Sequence, residues 1–594
     1  MSSKAPDNSV PSPGVSSSMN LQTAVLVIGA GAAGLRTAIE LTEAGVDCLV
    51  VGKRDHGDAH TRMAAGGINA SLGSRDSADR WALHAADTMR EGGYIGQPRA
   101  VELLALEAPD RIQELADWGC PFARTEDGRI DQRFFGAQSF RRTCFVGDIT
   151  GEAVLSTLVD RARTVGVAYR ERIMVTRILL AGGAVAGARC IDLDTGRTLH
   201  IQTRVVVLAA GGCTSLYRRG SSRADENTGD AIGLAWEAGA ELQDMEMIQF
   251  HPTGMIEPEA MSGHLVTEAV RGEGGRLFNA QGERFMKRYT PEQMELAARD
   301  VVARANYTEI REGRGTPRGG VLLDISHVDP ARIRERLPQI HALFREHGVD
   351  ITKEPMEVAP TAHYPMGGVV VTPETGATRV PGLYAVGEAA AGVHGANRLG
   401  GNSLAETVVF GRRTGLAIAQ WLQDTGERDR PNVETEPSAA AEPPRPRDGS
   451  PERDPDPAQI MARLREMMWT HAGIVRHAEG LRSGLAELEE LARDIPGRHE
   501  ESADTPEQPA PAEVRFAVIA AEAILRSALL RDESRGAHSR EDAPESRDEW
   551  IRNIICRREA DGTMTLRCEP VAPIPPAVQE ALDEHHALDY HHLE

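Results

Sequence analysis

The first strong pattern along the chain is a short apolar run, followed by glycines and then by a helical stretch. Residues 24–28 (AVLVI) form the apolar run, and residues 29–34 (GAGAAG) follow it directly. A helical pattern continues to about Ala44, and a second apolar run, CLVV, occupies residues 48–51. This order predicts a β-α-β unit of a parallel sheet.

The glycines of this unit have the spacing of a dinucleotide-binding turn. Gly29 makes the turn, Gly31 lets the backbone approach a pyrophosphate, and Gly34 packs the helix on the strand. The helix N-terminus would then face the phosphates. Gly52 and Lys53 stand at the end of the second strand, where an NAD site would carry a carboxylate for the ribose. The pattern therefore predicts nucleotide binding and argues against a plain NAD site.

The strand pattern returns twice more and is interrupted once. Residues 172–180 (RIMVTRILL) and 203–212 (TRVVVLAAGG) read as strands, the second aimed at the nucleotide. From 255 to 359 the chain reads as helical segments and loops, and strand-and-glycine patterning resumes at 382–404. An inserted domain within a nucleotide-binding domain explains this order.

The C-terminal third reads as helices separated by polar linkers. Residues 424–458 are rich in Pro and charge, and a second polar stretch covers 496–513. Amphipathic patterns predict two helices between these stretches and a third after them. The expected divisions are a disordered arm at 1–20, a nucleotide-binding domain at 21–254 and 360–423, an inserted domain at 255–359, a linker at 424–458, a helical domain at 459–533 and a C-terminal region at 534–594. The fold class is α/β (α+β multidomain).

Composition narrows the function. The net charge of −22 argues against nucleic acid or an anionic membrane as a direct partner. No apolar run is long enough for a transmembrane helix, and the N-terminus lacks the pattern of a secretory signal. The seven cysteines include no C-x-x-C pair, which argues against an iron–sulfur or haem site built by this chain alone and suits a reducing cytosol. We expect no metal site.

Candidate chemistry lies in Gly- or Pro-bounded loops. Such loops carry function because a scaffold holds them while their side chains stay free. The candidate residues are His60, His251, Thr267, Glu268, Arg271, Arg304, His363 and Arg398. Arginine pairs bidentately with carboxylate, and histidine adds a tunable donor, so this set suits a small dianion.

Five ordered segments carry a family resemblance. They are GAGAAG, QFHPTG, TEAVRGEGG, GANRLGGNSL and ESRGAHSRED. From about residue 22 to 570 the chain resembles the flavoprotein subunit of succinate dehydrogenase and fumarate reductase. This resemblance implies a Rossmann-like FAD-binding domain, a capping domain in place of the insert and a C-terminal helical domain. L-aspartate oxidase shares most of the pattern, so individual residues must separate the two.

His60 is the first discriminating residue. The pair His60-Thr61 precedes Gly66-Gly67 with the spacing of the dehydrogenase pattern, in which the histidine bonds covalently to the flavin 8α carbon. Such a bond would raise the flavin potential, as oxidation of an unactivated C–C bond requires. The residues before the glycines, Ala64 and its neighbours, depart from a commoner form that carries Gln.

Phe135 is the second discriminating residue. It stands where the oxidase pattern carries a Glu that would hold a substrate ammonium group, and a phenyl ring cannot do this. The segment from Arg398 to Asn402 likewise has the dehydrogenase form. The resemblance therefore favours a C4 dicarboxylate without an amino group.

The resemblance also implies the roles of the polar residues. Arg398 and His363 would hold one substrate carboxylate, and His251 and Thr267 the other. Arg304 would exchange the substrate proton, with Glu268 and Arg271 as relay partners. The implied FAD contacts are Gly29, Gly31, Ala33, Gly34, Gly52, Lys53, His60, Thr61, Gly66, Gly67, Asp230, Glu388, Ser403 and Leu404.

The implied activity is hydride transfer between succinate or fumarate and FAD. Electrons would then pass to a separate iron–sulfur subunit and a membrane anchor, with this subunit peripheral on the cytoplasmic face of the cell membrane. Alternatives are a fumarate reductase working in reverse, L-aspartate oxidase with non-covalent FAD, or a silent flavin-binding assembly subunit. The sequence leaves open the direction, the anchor, the stoichiometry and whether the tail histidines His585, His586, His591 and His592 bind metal.

Overall fold

A computed structural model describes residues 19–257, 262–425, 456–493 and 508–584. Most of the predicted arm, most of both predicted linkers and the four tail histidines lie outside the described residues. Residues 19–20, expected to end the arm, instead begin a strand, Met19–Gln22, that pairs in parallel with Thr198–Gln202.

The described chain is a mixture of helices and strands. The helices are α1 Ala32–Glu43, α2 Trp81–Glu91, α3 Pro98–Asp117, α4 Thr150–Val165, α5 Asp230–Glu237, α6 Ala269–Gly272, α7 Met286–Tyr289, α8 Arg299–Arg311, α9 Pro330–Arg336, α10 Pro338–Glu346, α11 Asn402–Thr425, α12 Pro457–His471, α13 Ala478–Arg493, α14 Pro509–Leu530 and α15 Pro576–Asp583. In these ranges no helix combines the length and the apolar character needed to traverse a bilayer.

Within the described residues the strands form five sheets. The strands are β1 Met19–Gln22, β2 Val25–Ile28, β3 Cys48–Val51, β4 Ile68–Asn69, β5 Gln132–Arg133, β6 Thr143–Cys144, β7 Ala168–Arg170, β8 Ile173–Ala181, β9 Ala184–Asp192, β10 Thr198–Gln202, β11 Val205–Leu208, β12 Leu242–Gln243, β13 Ile248–Met255, β14 Arg276–Phe278, β15 Val321–Asp324, β16 Met356–Pro365, β17 Gly368–Val369, β18 Leu383–Ala385, β19 Arg552–Arg558 and β20 Met564–Pro570.

The central sheet is parallel, with the order β18-β11-β2-β3-β7. All four residues of β2 are buried, as expected for a strand covered on both faces. The predicted β2-α1-β3 unit is confirmed, and so are the strands predicted at 172–180 and 203–212, which are β8 and β11. In the sheet β11 lies beside β2. The predicted α/β, Rossmann-like class is therefore correct.

Two glycines allow the β2-α1 turn. Gly29 has φ 109°, and a Cβ there would lie 2.2 Å from the carbonyl oxygen of Ala209. A Cβ on Gly34 would lie 2.0 Å from the carbonyl oxygen of Gly29, so only glycine lets the helix sit this close to the strand. These contacts bring the N-terminus of α1 to the carboxyl end of the sheet.

A second sheet forms around residues 255–359. Its order is β13-β16-β15-β14, antiparallel throughout, and its apolar residues form a core of their own from Met255 to Val358. The sequence analysis expected helices and loops here and missed β14 and β15. Both strands are short, so their apolar alternation is hard to separate from helical patterning.

The C-terminal helices α12, α13 and α14 pack together, and α14 also packs on α5. Phe516 of α14 fills the space beside Gly233, where a Cβ would lie 2.2 Å from its ring. The predicted polar stretch to residue 513 is too long, because α14 begins at Pro509; a proline at the first helical position costs no hydrogen bond. The helix ends at Leu530.

The end of the chain returns to the first half of the molecule. Strands β19 and β20 form a hairpin that pairs with β12, with Leu242 opposite Cys556. Before the hairpin, the backbone N–H of Ala537 donates to the carbonyl oxygen of Ala396 at 2.9 Å. The tail is therefore built into the structure beside the segment that carries Arg398.

A buried ion-pair network fixes the loop that carries Phe135. Arg142 Nη1 lies 2.7 Å from Asp87 Oδ2, its Nη2 lies 2.9 Å from Asp79 Oδ1, and none of the three side chains is more than 2% exposed. Asp87 also accepts from the backbone and the hydroxyl group of Ser139. The network thus ties α2 to the segment after Phe135.

We expect Arg142→Ala to lower the free energy of unfolding by about 3–5 kcal/mol, because it leaves two buried carboxylates without their cation. The matched control is Arg141→Ala, which removes a half-exposed pair with Asp76 and should cost about 0–1 kcal/mol. Urea unfolding followed by tryptophan fluorescence measures both values. Equal losses would contradict the assigned role of the buried network.

Candidate functional site

A cavity opens at the carboxyl ends of the central strands. It starts where β2 and β3 end and extends to His363 and Tyr364 of β16. The predicted cofactor residues that line it are Gly29, Gly31, Ala33, Gly52, Lys53, His60, Thr61, Asp230, Glu388, Ser403 and Leu404. Gly34, Gly66 and Gly67 are not among its lining residues; Gly66 lies against the ring of Phe135.

The α1 end of the cavity suits a pyrophosphate. The backbone N–H of Ala32 donates to Thr61 Oγ1 at 3.1 Å, so Thr61 stands directly at the helix N-terminus. Gly31 has no side chain in this approach, and a Cβ there would lie 3.2 Å from the same hydroxyl oxygen. A helix N-terminus with an open backbone favours bound anionic groups.

Lys53 and Asp230 form the next part of the wall. Lys53 Nζ lies 2.8 Å from Asp230 Oδ2 and 2.8 Å from Glu513 Oε1 of α14. Asp230 accepts from Thr228 Oγ1 at 2.6 Å. The helical domain therefore contacts the cofactor cavity through Glu513, a connection the sequence did not suggest.

His60 lies in a 3-10 turn, His60–Met63, on the cavity wall. Its Nδ1 lies 3.4 Å from Glu226 Oε2. Burial is the largest influence and opposes the charged imidazole, but the hydrogen bond to Glu226 and the charges of Glu226 and Glu388 together raise the pKa of His60. Burial also raises the pKa of Glu388, on the same wall, to about 7.

His251 and His363 face each other across the β13-β16 pair. Their rings meet edge to face with centroids 5.4 Å apart, and His363 Nδ1 lies 3.0 Å from Ser221 Oγ. Burial lowers the pKa of His251 well below its usual value, and Arg299, Arg271 and Arg398 lower it further. Burial followed by the charge of Arg398 does the same to the pKa of His363. Both rings are therefore neutral donors at neutral pH.

Arg398 lies beside these rings and is buried. Its Nη1 donates to Ser403 Oγ at 3.1 Å, its Nη2 donates to Gln249 Oε1 at 3.0 Å, and its guanidinium stacks 4.5 Å above the Tyr364 ring. Within the described residues its Nε is buried without a hydrogen-bond partner. Burial, followed by the charge of Arg299, lowers the pKa of Arg398 to about 9.

Glu268 joins two further arginines behind this cluster. Arg299 Nε donates to Glu268 Oε2 at 2.7 Å, and Arg271 Nη2 lies 3.7 Å from the same oxygen. Burial alone would raise the pKa of Glu268, but Arg299 and Arg271 lower it to about 2. The Gly136 N–H, next to Phe135, donates to Glu268 Oε1 at 3.1 Å. Thr267, the residue before Glu268, is buried.

The structure corrects the placement of Arg304. Arg304 Nη1 bonds Asp300 Oδ2 and the carbonyl oxygen of Gly536, both at 2.8 Å, and its side chain is 34% exposed. Arg299, five residues earlier on the same helix, is the arginine that contacts Glu268. Helix periodicity explains the difference, because positions five residues apart lie on different helix faces.

Arg299 and Gln249 were not among the residues predicted from the sequence. Arg299 shares a buried helical face with Val302, Ala303 and Asn306, the spacing i, i+3, i+4, i+7. This spacing was a sequence signal from which burial of Arg299 could have been predicted. Gln249 Oε1 accepts from both Arg299 and Arg398, and only its position two residues before His251 in a strand hinted at this.

The cluster can bind an anion and supply a proton. Three buried guanidiniums, those of Arg271, Arg299 and Arg398, lie together, and among the described residues Glu268 is the carboxylate that forms ion pairs with them. Glu295 and Glu388 act on Arg271 and Arg398 through their charge. Burying uncompensated charge is costly, so the site favours a negatively charged ligand. The described residues include no group of three or more His, Cys, Asp or Glu side chains arranged to hold a metal ion.

The cavity residues also fit FAD. The glycine turn and α1 suit a pyrophosphate, and the wall from Lys53 to Asp230 suits polar ribose groups. The far end is lined by His363 and Ser403, which contact His251 and Arg398 of the cluster. A flavin ring in that position would lie next to the proposed substrate groups, as hydride transfer requires.

Two family matches cover most of the chain. Residues 24–404 match the family described as FAD binding domain, and residues 461–580 match the one described as fumarate reductase flavoprotein C-term. The first match alone spans more than half of the sequence. FAD is therefore the cofactor of this chain.

Curated relatives and solved structures agree. The chain is 44% identical to a subunit of the CoM/CoB fumarate reductase of Methanothermobacter marburgensis, covering 90% of this chain and 97% of the relative. It is 37% identical to the succinate dehydrogenase flavoprotein subunit of Rickettsia bellii, covering 92% and 95%.

Among solved structures, Mycobacterium smegmatis Sdh1 in complex with UQ1 matches at 37% identity with a TM-score of 0.81, covering 97% of this chain and 100% of that one. E. coli quinol fumarate reductase matches at 33% identity and a TM-score of 0.82, covering 94% and 99%. These matches extend over both regions that the family models cover, residues 24–404 and 461–580. The chain belongs to the family of FAD-dependent oxidoreductases that comprises the flavoprotein subunits of succinate dehydrogenase and fumarate reductase.

Proposed function

We propose that this chain is the catalytic flavoprotein subunit of a succinate dehydrogenase, interconverting succinate and fumarate. The observation that carries the proposal is the excess of buried positive charge at the end of the FAD cavity. A C4 dicarboxylate supplies the two negative charges that this cluster lacks. Phe135 supports a substrate without an amino group, because its ring packs against Gly66 and Gly400 where an ammonium ion would need a carboxylate.

Different side chains hold the two carboxylates of the substrate. Arg398 offers its unpartnered Nε–H to one carboxylate, and His363 donates to the same group. His251 and Thr267 hold the other carboxylate. Neutral histidines donate without adding to the repulsion among the buried guanidiniums, which is why their low pKa values suit the role. Holding both ends fixes the central carbons for reaction.

Arg299 moves the proton. Bound FAD supplies the two-electron acceptor or donor for the substrate hydride. Arg299 gives a proton to the adjacent substrate carbon in fumarate reduction and takes one in succinate oxidation. A guanidinium rarely loses a proton, so the step needs a neighbouring base. Glu268 Oε2, 2.7 Å from Arg299 Nε, is positioned to return the proton, with Arg271 behind it.

The direction of the reaction is the second part of the proposal. We infer succinate oxidation as the main activity, with fumarate reduction as the alternative. The high identity to the Methanothermobacter fumarate reductase supports that alternative. The direction depends on the flavin potential and the electron partner, which a rate measurement in both directions tests.

The electrons need a route out of this subunit. We infer an iron–sulfur protein as the acceptor and membrane anchor subunits that pass electrons to quinone. Solved relatives with UQ1 and with quinol fumarate reductase activity support this arrangement. The subunit would then be cytoplasmic and peripheral on the inner face of the cell membrane.

We infer that FAD is bound covalently through His60. The support is positional: His60 lines the FAD cavity and its neighbour Thr61 contacts the N-terminus of α1. A covalent bond at this position would raise the flavin potential and so favour succinate oxidation.

Arg299→Gln should keep FAD bound and lower kcat about 10²–10⁴-fold, the range for loss of a positioned proton donor. The measurement is succinate-dependent dye reduction alongside the FAD content. The matched control is Arg304→Gln on the same helix, which should retain kcat within about threefold because Arg304 bonds only outside the cluster. The opposite ranking of the two variants would refute the relay.

His60→Ser should keep FAD non-covalently and lower succinate oxidation about tenfold or more, while fumarate reduction falls less. The reason is that loss of the covalent bond lowers the flavin potential. Flavin fluorescence of the denatured polypeptide reports the bond, and dye-linked assays report both directions. An equal loss in both directions would count against this reasoning.

Fumarate should bind the oxidised holoenzyme more tightly as the pH falls from about 8 to about 6. The free enzyme holds the pKa of His251 and His363 low, and a bound dianion cancels part of the cationic field and raises both values. The complex therefore takes up protons on binding. Calorimetry in two buffers with different ionisation heats counts those protons, and proton release would disprove the idea.

A further inference from the structure

Glu226 is a buried carboxylate that the proposed function leaves without a role. It lines the FAD cavity, its side chain is 6% exposed, and its Oε2 lies 3.4 Å from His60 Nδ1. Arg223 holds it from the other side, with Nη2 2.5 Å from Oε1 and the backbone N–H 3.3 Å from Oε2. Arg223 is itself anchored to Asp58 at 2.8 Å. The carboxylate is thus fixed in place against the imidazole.

This contact selects one tautomer of His60. A carboxylate only accepts hydrogen bonds, so the imidazole Nδ1 must carry the hydrogen that it donates. Nε2 then holds the lone pair and is the ring nitrogen left for a new bond. When Nε2 forms that bond the ring becomes a cation, and a carboxylate within hydrogen-bond reach of Nδ1 stabilises this charge as it develops.

We propose that Glu226 is a positioning residue for the covalent attachment of FAD to His60; the inference rests on the proposed covalent function. His60 Nε2 bonds to the 8α carbon of the flavin, and one C–H bond of that carbon breaks. The proton from the carbon, the imidazole proton and the two electrons of the broken C–H bond end on the flavin, which leaves the reaction reduced by two electrons. Fumarate then reoxidises the flavin and becomes succinate, so the proposed activity supplies the oxidant.

Other charged groups near His60 do not meet its ring in this way. Glu388 acts on His60 through its charge alone and is 3.4 Å from Asn227 Nδ2. Asp225, the residue beside Glu226 in sequence, pairs with Arg54, whose Nε also lies 3.5 Å from Glu226 Oε1. Asp225 therefore offers a matched control from the same loop, with the same change from carboxylate to amide.

The test compares the wild type, Glu226→Gln and Asp225→Asn, each purified with bound FAD. Visible absorbance gives the FAD content of the native protein, and flavin fluorescence on the denatured polypeptide gives the covalent fraction. We expect equal FAD content in all three proteins. The covalent fraction should fall about tenfold in Glu226→Gln, because the amide keeps the hydrogen bond but loses the charge. It should be unchanged in Asp225→Asn.

A second variant covers the case in which Glu226→Gln does not fold. Arg223→Gln releases the clamp on the carboxylate and should lower the covalent fraction by a smaller factor.

The possible outcomes separate this inference from the proposed function. A covalent fraction in Glu226→Gln equal to that of the wild type overturns this inference alone. Loss of FAD from Glu226→Gln but not from Asp225→Asn also overturns it, since Glu226 would then merely shape the cavity. A wild type without covalent FAD overturns both covalent proposals, while dye-linked succinate oxidation still tests the activity separately.

Discussion

The burial of three guanidiniums around one carboxylate is the constraint on which the site depends. Arg271, Arg299 and Arg398 are each at least nine-tenths buried, and Glu268 is the acid that two of them contact. Such an arrangement is costly unless polar groups satisfy the remaining N–H donors. Gln249 does part of this by accepting from Arg299 and Arg398 with one oxygen. The remaining N–H donors and the remaining positive charge are left for a dianionic ligand, so binding of that ligand would also neutralise the cluster.

The cluster exists only where separate parts of the chain meet. His251 and His363 come from the paired strands β13 and β16, whereas Glu268, Arg271 and Arg299 come from the segment between them. Arg398 follows the last strand of the central sheet, and the tail contacts the same segment through Ala537 and Ala396. Substrate binding would thus draw the insert and the nucleotide-binding domain together, because the substrate charge is shared by residues of both.

The sequence predicted the parts of the fold that obey a local period. The β2-α1-β3 unit has apolar runs of the right length and glycines at the right spacing, so its elements were found almost to the residue. Arg299 was missed because two arginines share one helix, and motif resemblance alone cannot choose between them; the buried face containing Val302 and Asn306 can. The β19-β20 hairpin was missed although Asp561-Gly562 between the strands is a local turn signal. Its pairing with β12 has no such signal, because β12 lies about three hundred residues earlier in the chain.

The two ends of the cavity differ in charge, and this difference suits the two tasks proposed for it. Near His60 the wall holds Glu226 and Glu388, which favour positive charge on the imidazole. Near the substrate groups the arginines favour negative charge, whether on a dicarboxylate or on a reduced flavin. Coulomb interactions weaken with distance, so a change at the His60 end alters the bond to the flavin more than the grip on the substrate. Glu388 acts on both His60 and Arg398, so the proposed attachment of the cofactor and the proposed recognition of a diacid share this one carboxyl group and otherwise depend on different residues.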